Sequence, residues 1–110
     1  MTLDEDIVAW HKKTFPDITM GELLLKLEEE LTETFDAINA KAENAMEEQA
    51  DVYIVAVALM ERFNSKIGLH FYTISHTDKL LMKAVRHKLD KNKKRIWHKV
   101  DGVYRHKEEE

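Results

Sequence analysis

The stretch that most constrains this chain is Val52 to Met60, VYIVAVALM, which carries no charge and no periodic polar gap. Its β-branched residues would suit a strand. The flanking sequence argues for a helix, with Asn44 and Glu47 spaced as a cap, AMEEQA helix-favouring, and ERF following. The helix is expected from about Ala45 to Lys66, with Gly68 as its C-terminal stop. A helix that is apolar all round must be covered on every side. Three partner helices from a chain of 110 residues could barely do so, and burial against a second subunit is therefore expected.

Two acids lead into this run, Glu48 and Asp51. Another helix is expected before it, from about Met20 to Lys41, opened by the capping pair Thr19 and Glu22. On it Leu24, Leu27, Leu31, Phe35 and Ile38 recur at helical spacing and form an apolar stripe. Glu30 falls at the edge of that stripe, and Glu33 lies further round, beside Lys26 and Ala37. Residues at i and i+3 share a helix side, so Glu30 and Glu33 point one way and Glu48 and Asp51 point one way. If the two pairs face each other, they form a nest of carboxylates whose desolvation and repulsion would cost several kcal/mol each. A hard divalent cation such as Mg²⁺ would remove that cost, because it prefers oxygen ligands and keeps water for chemistry. Glu29 and Glu47, next to the pairs, are further candidate ligands or bases. The alternative is a solvated acidic face, which acidic helices commonly present.

The remainder of the chain reads as support. A short helix over residues 3–13 would place Ile7 and Trp10 on one face, and Pro16 follows it. Residues 68–75 form a connector, and Ser75 or Thr77 opens a last helix through Leu80, Leu81, Val85 and Leu89 that ends near Arg95. Asp101-Gly102 is a turn signal, so residues 100–110 should be an irregular tail or a short hairpin, with KEEE frayed at the end. The chain is read as one domain over 1–110. It has no cysteine, which excludes disulfides, thiolate metal sites and thiol nucleophiles. The N-terminus lacks a secretory pattern, and no apolar run approaches the roughly 20 residues that span a bilayer. A soluble, cytoplasmic protein without a membrane partner is expected.

The net charge of −4 hides a division: residues 1–51 hold 14 Asp/Glu against 4 Lys/Arg, a net of −10, and residues 52–110 a net of +6. An acidic half for metal and a basic half for phosphate would suit a nucleotide enzyme. Oppositely charged helices that attract one another explain the division equally well. Within the basic half, Lys88, Asn92 and Arg95 are spaced i, i+4, i+7 on one helix face, followed by Trp97. Two cations flanking an amide suit phosphate oxygens; a solvated basic helix end is the plainer reading. Trp10 and Phe15 could stack on a base or simply pack. The six histidines show no metal-ligand spacing and read as surface or structural. No glycine-rich phosphate loop is present, Ser/His/Asp chemistry has no local support, and nucleic-acid binding rests only on the short run KNKKR.

The blocks KLEEELTETFDAI and EEQADVYIVAVAL together resemble the core of the MazG-like all-α nucleoside triphosphate pyrophosphohydrolases, whose signature is Glu-Glu-x-x-Glu followed by Glu-x-x-Asp entering a hydrophobic helix. WHKKTFP near the start, K-x-x-x-N-x-x-R-x-W and DGVYRH are similar to the small, single-domain, often phage-encoded branch. Leu89 stands where methionine would be expected, with no chemical consequence. The resemblance implies an all-α, four-helix-type bundle completed by oligomerisation as a homodimer or homotetramer, in the host cytoplasm if phage-encoded. It implies Mg²⁺, with Mn²⁺ able to substitute, held by Glu30, Glu33, Glu48 and Asp51. It also implies hydrolysis of a nucleoside triphosphate between the α and β phosphates, giving a monophosphate and pyrophosphate, with a purine deoxynucleotide favoured. Lys88, Asn92 and Arg95 would hold phosphate or sugar, and Trp97 and Trp10 would lie near the nucleotide, with Lys26 among the substrate-binding candidates. Glu33 or Glu29 would accept the proton. A non-catalytic helical dimerisation module and a nucleic-acid-binding module are the alternatives.

Overall fold

A computed structural model describes residues 1–64, 66–69 and 79–107. They form a helical bundle with one small hairpin: α1 (Leu3–Thr14), α2 (Met20–Asn39), α3 (Ala45–Phe63), α4 (Lys79–Lys94), β1 (Trp97–Val100) and β2 (Val103–His106). The expected connector and the opening of the last helix at Ser75 or Thr77 fall largely outside the described residues, as do His70, His76 and Glu108 to Glu110.

Local chemistry sets most of the boundaries. The Thr2 and Thr19 hydroxyls accept from the backbone N–H of Glu5 and Glu22, each at 3.1 Å, and so cap α1 and α2. Asn44 stands at the N-cap of α3 without capping it; its amide instead donates to Glu48 Oε1 at 3.2 Å. The α3 helix stops earlier than expected, at Phe63, because Asn64 adopts the left-handed conformation (φ 50°, ψ 46°) that asparagine tolerates. Gly68 therefore has a different role from the expected helix stop. A Cβ there would lie 2.5 Å from the Ala56 carbonyl oxygen and 2.9 Å from the Met60 nitrogen, so the missing side chain lets the helical residues 66–69 rest directly on the α3 backbone.

Helix α3 is the centre of the molecule. One side packs Tyr53, Ile54 and Val57 against Ile7 of α1 and Leu81, Val85 and Leu89 of α4. The other packs Val52, Ala58 and Leu59 against Phe15, Ile18, Leu23 and Leu27. The apolar run that seemed to need a second subunit is thus covered largely within one chain. Apolar surface is left uncovered on α2: Leu31, Phe35 and Ile38 are 36%, 66% and 51% exposed. The face of α2 that is buried carries Leu23, Leu27 and Thr34, rotated from the expected stripe.

From residue 100 the chain takes the hairpin alternative rather than an irregular tail. Asp101 and Gly102 both have positive φ (52° and 79°), as a two-residue turn matching strand twist requires. The turn sets the register Trp97 to His106 and His98 to Arg105. The hairpin docks on α2 and the segment before it. Glu22, freed from the expected reciprocal cap, accepts the Tyr104 N–H at 3.0 Å, and Asp17 accepts from Lys99 at 2.5 Å and from the Tyr104 hydroxyl.

Beneath the hairpin, His11 is buried among aromatic rings, with Phe15 at 4.9 Å between centroids. Its Nδ1 lies 3.3 Å from the Arg62 guanidinium, which also donates to the carbonyls of Phe15 and Pro16. Burial, followed by the Arg62 charge, pushes the His11 pKa down to about 3, so the ring is a neutral acceptor.

Two expectations follow. Gly68→Ala should cost about 1–3 kcal/mol through overpacking, read from the urea midpoint; an unchanged midpoint would mean that residues 66–69 are not seated on α3. Because unfolding lets His11 take up a proton that the folded state refuses, its contribution is complete above pH 6.5 and declines as pH falls towards 3. By pH 5 the loss should be about 2 kcal/mol. His11→Gln should lose less stability than the parent between pH 6.5 and 5, and parallel curves would refute the assignment.

Candidate metal centre

The two acidic pairs sit where α2 and α3 pack together. Carboxylate oxygens of Glu30, Glu33 and Glu48 all lie within 4.8 Å of one another. Asp51 lines the same cavity, of about 420 Å³, together with Lys26, Glu29, Lys88, Asn92, Arg95 and Trp97. Both helices supply their acids at i and i+3, so the local spacing presents each pair on one side. Placing Asp51 at the mouth of the apolar run is what draws the second pair inward.

The electrostatics are those of carboxyl groups crowded together and partly buried. Burial, reinforced by Asp51, Glu33 and Glu48, pushes the Glu30 carboxyl up to about 8, against an opposing pull from Lys26. Glu48 is also raised, first by burial and then by a hydrogen bond shared with Glu33. Among the described residues none of Glu30, Glu33 and Glu48 forms an ion pair. Glu30 Oε2 and Glu48 Oε2 are buried with no hydrogen-bond partner, although buried polar atoms are normally satisfied. Two orphaned carboxylate oxygens, one from each of two packed helices, are a donor set that fits a hard divalent cation.

Asp51 is treated differently. Burial raises its pKa, while Lys88, Asn92 and Arg95 oppose the rise. Lys88 Nζ lies 3.5 Å from Asp51 and 3.2 Å from Glu47, with its side chain only 7% exposed. Arg95 donates to Asn92 Oδ1 at 3.1 Å, and Asn92 in turn hydrogen-bonds Asp51. The Trp97 indole N–H donates to the Asn92 carbonyl at 3.0 Å, closing the end of α4. Of the i, i+4, i+7 set, Lys88 and Asn92 lie on α4 and Arg95 just past its end, and the three meet the acids.

Other candidates separate. Glu47 turns to Lys88 and Lys91 (3.2 and 2.8 Å), and those bonds lower its pKa to about 2; it stands outside the cluster. Glu29 lines the cavity and is held by Arg105 through two bonds of 3.1 and 3.3 Å. Trp10 lies behind the cavity in an aromatic cluster, 5.4 Å from Phe15 and 6.2 Å from Trp97. A narrow cavity of about 60 Å³ joins that cluster to Glu30, Asp51 and Asn92. The charge division of the chain is partly spent on internal attraction, as in the pairs from Asp6 to Arg86 and Lys93.

Arg105 and His106 also line the acidic cavity; the sequence offered them only within the block DGVYRH, with no role assigned, and His106 was read as surface or structural. The Asp-Gly turn sets the strand register but not the helix on which the hairpin docks.

Over 101 residues, 91% of this chain, the sequence is 33% identical to a protein of Salmonella phage PMBT28 named dATP/dGTP diphosphohydrolase. The chain spans 29% of the length of that relative. No family model matches the chain, and no solved structure gives a significant match.

Proposed function

We propose that this chain is a metal-dependent nucleoside triphosphate pyrophosphohydrolase of the MazG-like kind, cleaving between the α and β phosphates to release a monophosphate and pyrophosphate. The observation that carries this reading is the cluster of Glu30, Glu33 and Glu48, with two orphaned buried oxygens, in a cavity walled by Asn92 and Arg95. The phage relative's name, dATP/dGTP diphosphohydrolase, supports a nucleotide substrate and favours purine deoxynucleotides.

Glu30, Glu33, Glu48 and Asp51 would hold Mg²⁺, or Mn²⁺ in its place. When bound, the cation supplies neutralisation of phosphate charge and a more acidic water. Arg95, anchored through Asn92, is placed to take phosphate oxygens and to stabilise charge developing on them. Lys88 is enclosed with Asp51 and opposes, from behind, the rise in its pKa that burial causes. Glu33, exposed at the cavity, or Glu29 would accept the proton of the attacking water. Trp97, with its indole fixed, and Trp10 form the aromatic side on which the nucleoside would rest. Assembly as a homodimer or homotetramer would cover Leu31, Phe35 and Ile38 of α2.

The test is pyrophosphate release from a panel of deoxynucleoside triphosphates with Mg²⁺, repeated with Glu48→Gln. Release from dATP or dGTP that falls at least a hundredfold in a folded Glu48→Gln protein is expected. No release from any nucleotide would instead favour a non-catalytic helical module.

A second expectation concerns protons. With its pKa near 8, Glu30 is largely protonated at pH 7 in the metal-free protein, and a bound cation requires it ionised. Calorimetric Mg²⁺ titrations at pH 7 in buffers of different ionisation enthalpy should reveal proton release, which Glu30→Gln should diminish. A buffer-independent heat would count against Glu30 as a ligand.

A further inference from the structure

The hairpin brings to the acidic cavity a cation whose situation differs from that of the α4 cations. Lys88 is buried and committed to Glu47 and Asp51, so withdrawing it to meet a ligand would strand Asp51 without its counter-charge. Arg95 lies just past the end of α4 and is oriented by Asn92. On the α2 side the cavity is acidic, relieved by Lys26 and by Arg105. Arg105 is 46% exposed, and its partner Glu29 is 43% exposed.

We propose that Arg105 is a polyphosphate-gripping residue, exchanging the Glu29 carboxylate for phosphate oxygens when a triphosphate enters; this rests on the reading of the cavity as a triphosphate site. Three features carry it. The guanidinium presents two parallel N–H groups to Glu29, the same fork that grips phosphate. An exposed pair of this kind adds little to stability, so giving it up is inexpensive. The strand that bears Arg105 is anchored independently of it, by Glu22 to the Tyr104 N–H and by Asp17 to Lys99 and Tyr104. The residue is therefore held at the cavity whether or not it keeps Glu29. Glu29 stands in for the anion in the free protein, and its release restores a free carboxylate beside Glu30 at the moment the phosphates arrive.

Calorimetric titration of the full chain with sodium tripolyphosphate in excess Mg²⁺ tests this, comparing the parent, Arg105→Lys and Arg105→Gln. Hydrogen exchange at the Tyr104 amide reports the hairpin separately. Arg105→Gln should bind tripolyphosphate at least tenfold more weakly and Arg105→Lys should fall between, with Tyr104 protection unchanged. Binding by Arg105→Gln within twofold of the parent would overturn the assignment while leaving the site reading intact. Weak binding accompanied by lost Tyr104 protection would make Arg105 a strap for the hairpin and also overturn it. A parent protein that binds no tripolyphosphate would remove the triphosphate site itself, and this inference with it.

Discussion

The structure turns on a confrontation of like charges at the α2–α3 contact. Carboxylates within 4.8 Å of one another repel by about 3–4 kcal/mol per ionised pair at an effective dielectric near 20. The protein brings them together because the apolar faces on either side of them must meet: Leu23 and Leu27 on α2, Val52 and Leu59 on α3. Hydrophobic burial supplies the force, and the acids are carried into place by it. Burial and the neighbouring acids raise the pKa of Glu30 and Glu48, which is the electrostatic cost of that placement.

Around this cluster the chain distributes its positive charge unevenly. Asp6 and Glu47 are neutralised at once by α4 side chains. Asp51 receives Lys88 and, through Asn92, the influence of Arg95. Glu30, Glu33 and Glu48 receive no ion pair among the described residues. A bundle held together only by complementary charge would have no reason to leave buried oxygens of Glu30 and Glu48 without a partner. That asymmetry is what a solvated acidic face would not require.

The hairpin adds a wall that a purely helical bundle would lack. Its turn is local, set by Asp101-Gly102, but its docking is long-range and polar. Residues of the α1–α2 segment and of α2, Asp17, Glu22 and Glu29, meet Lys99, Tyr104 and Arg105. Aromatic packing of Phe15 on Trp97 (5.1 Å) and Tyr104 (4.8 Å) fills the space beneath. The cavity is thereby bounded by α2, α3, α4 and the C-terminal strands.

What could be read from the residues alone was whatever depends on neighbours along the chain. Thr19 announces the start of α2, Asp101-Gly102 announces a turn, and the i, i+3 acids announce that each pair shares a side, because backbone geometry fixes those relations within a few residues. The order of helices followed from the same local rules. Tertiary packing alone decided which faces meet. It covered Val52 to Leu59 mainly within one chain, left Phe35 and Ile38 in solvent, gave Lys88 to Asp51, and swung Arg105 onto Glu29 across 76 positions of sequence. Those outcomes depend on helix rotation and docking, where many weak contacts between distant residues compete, and no short stretch of sequence carries that balance.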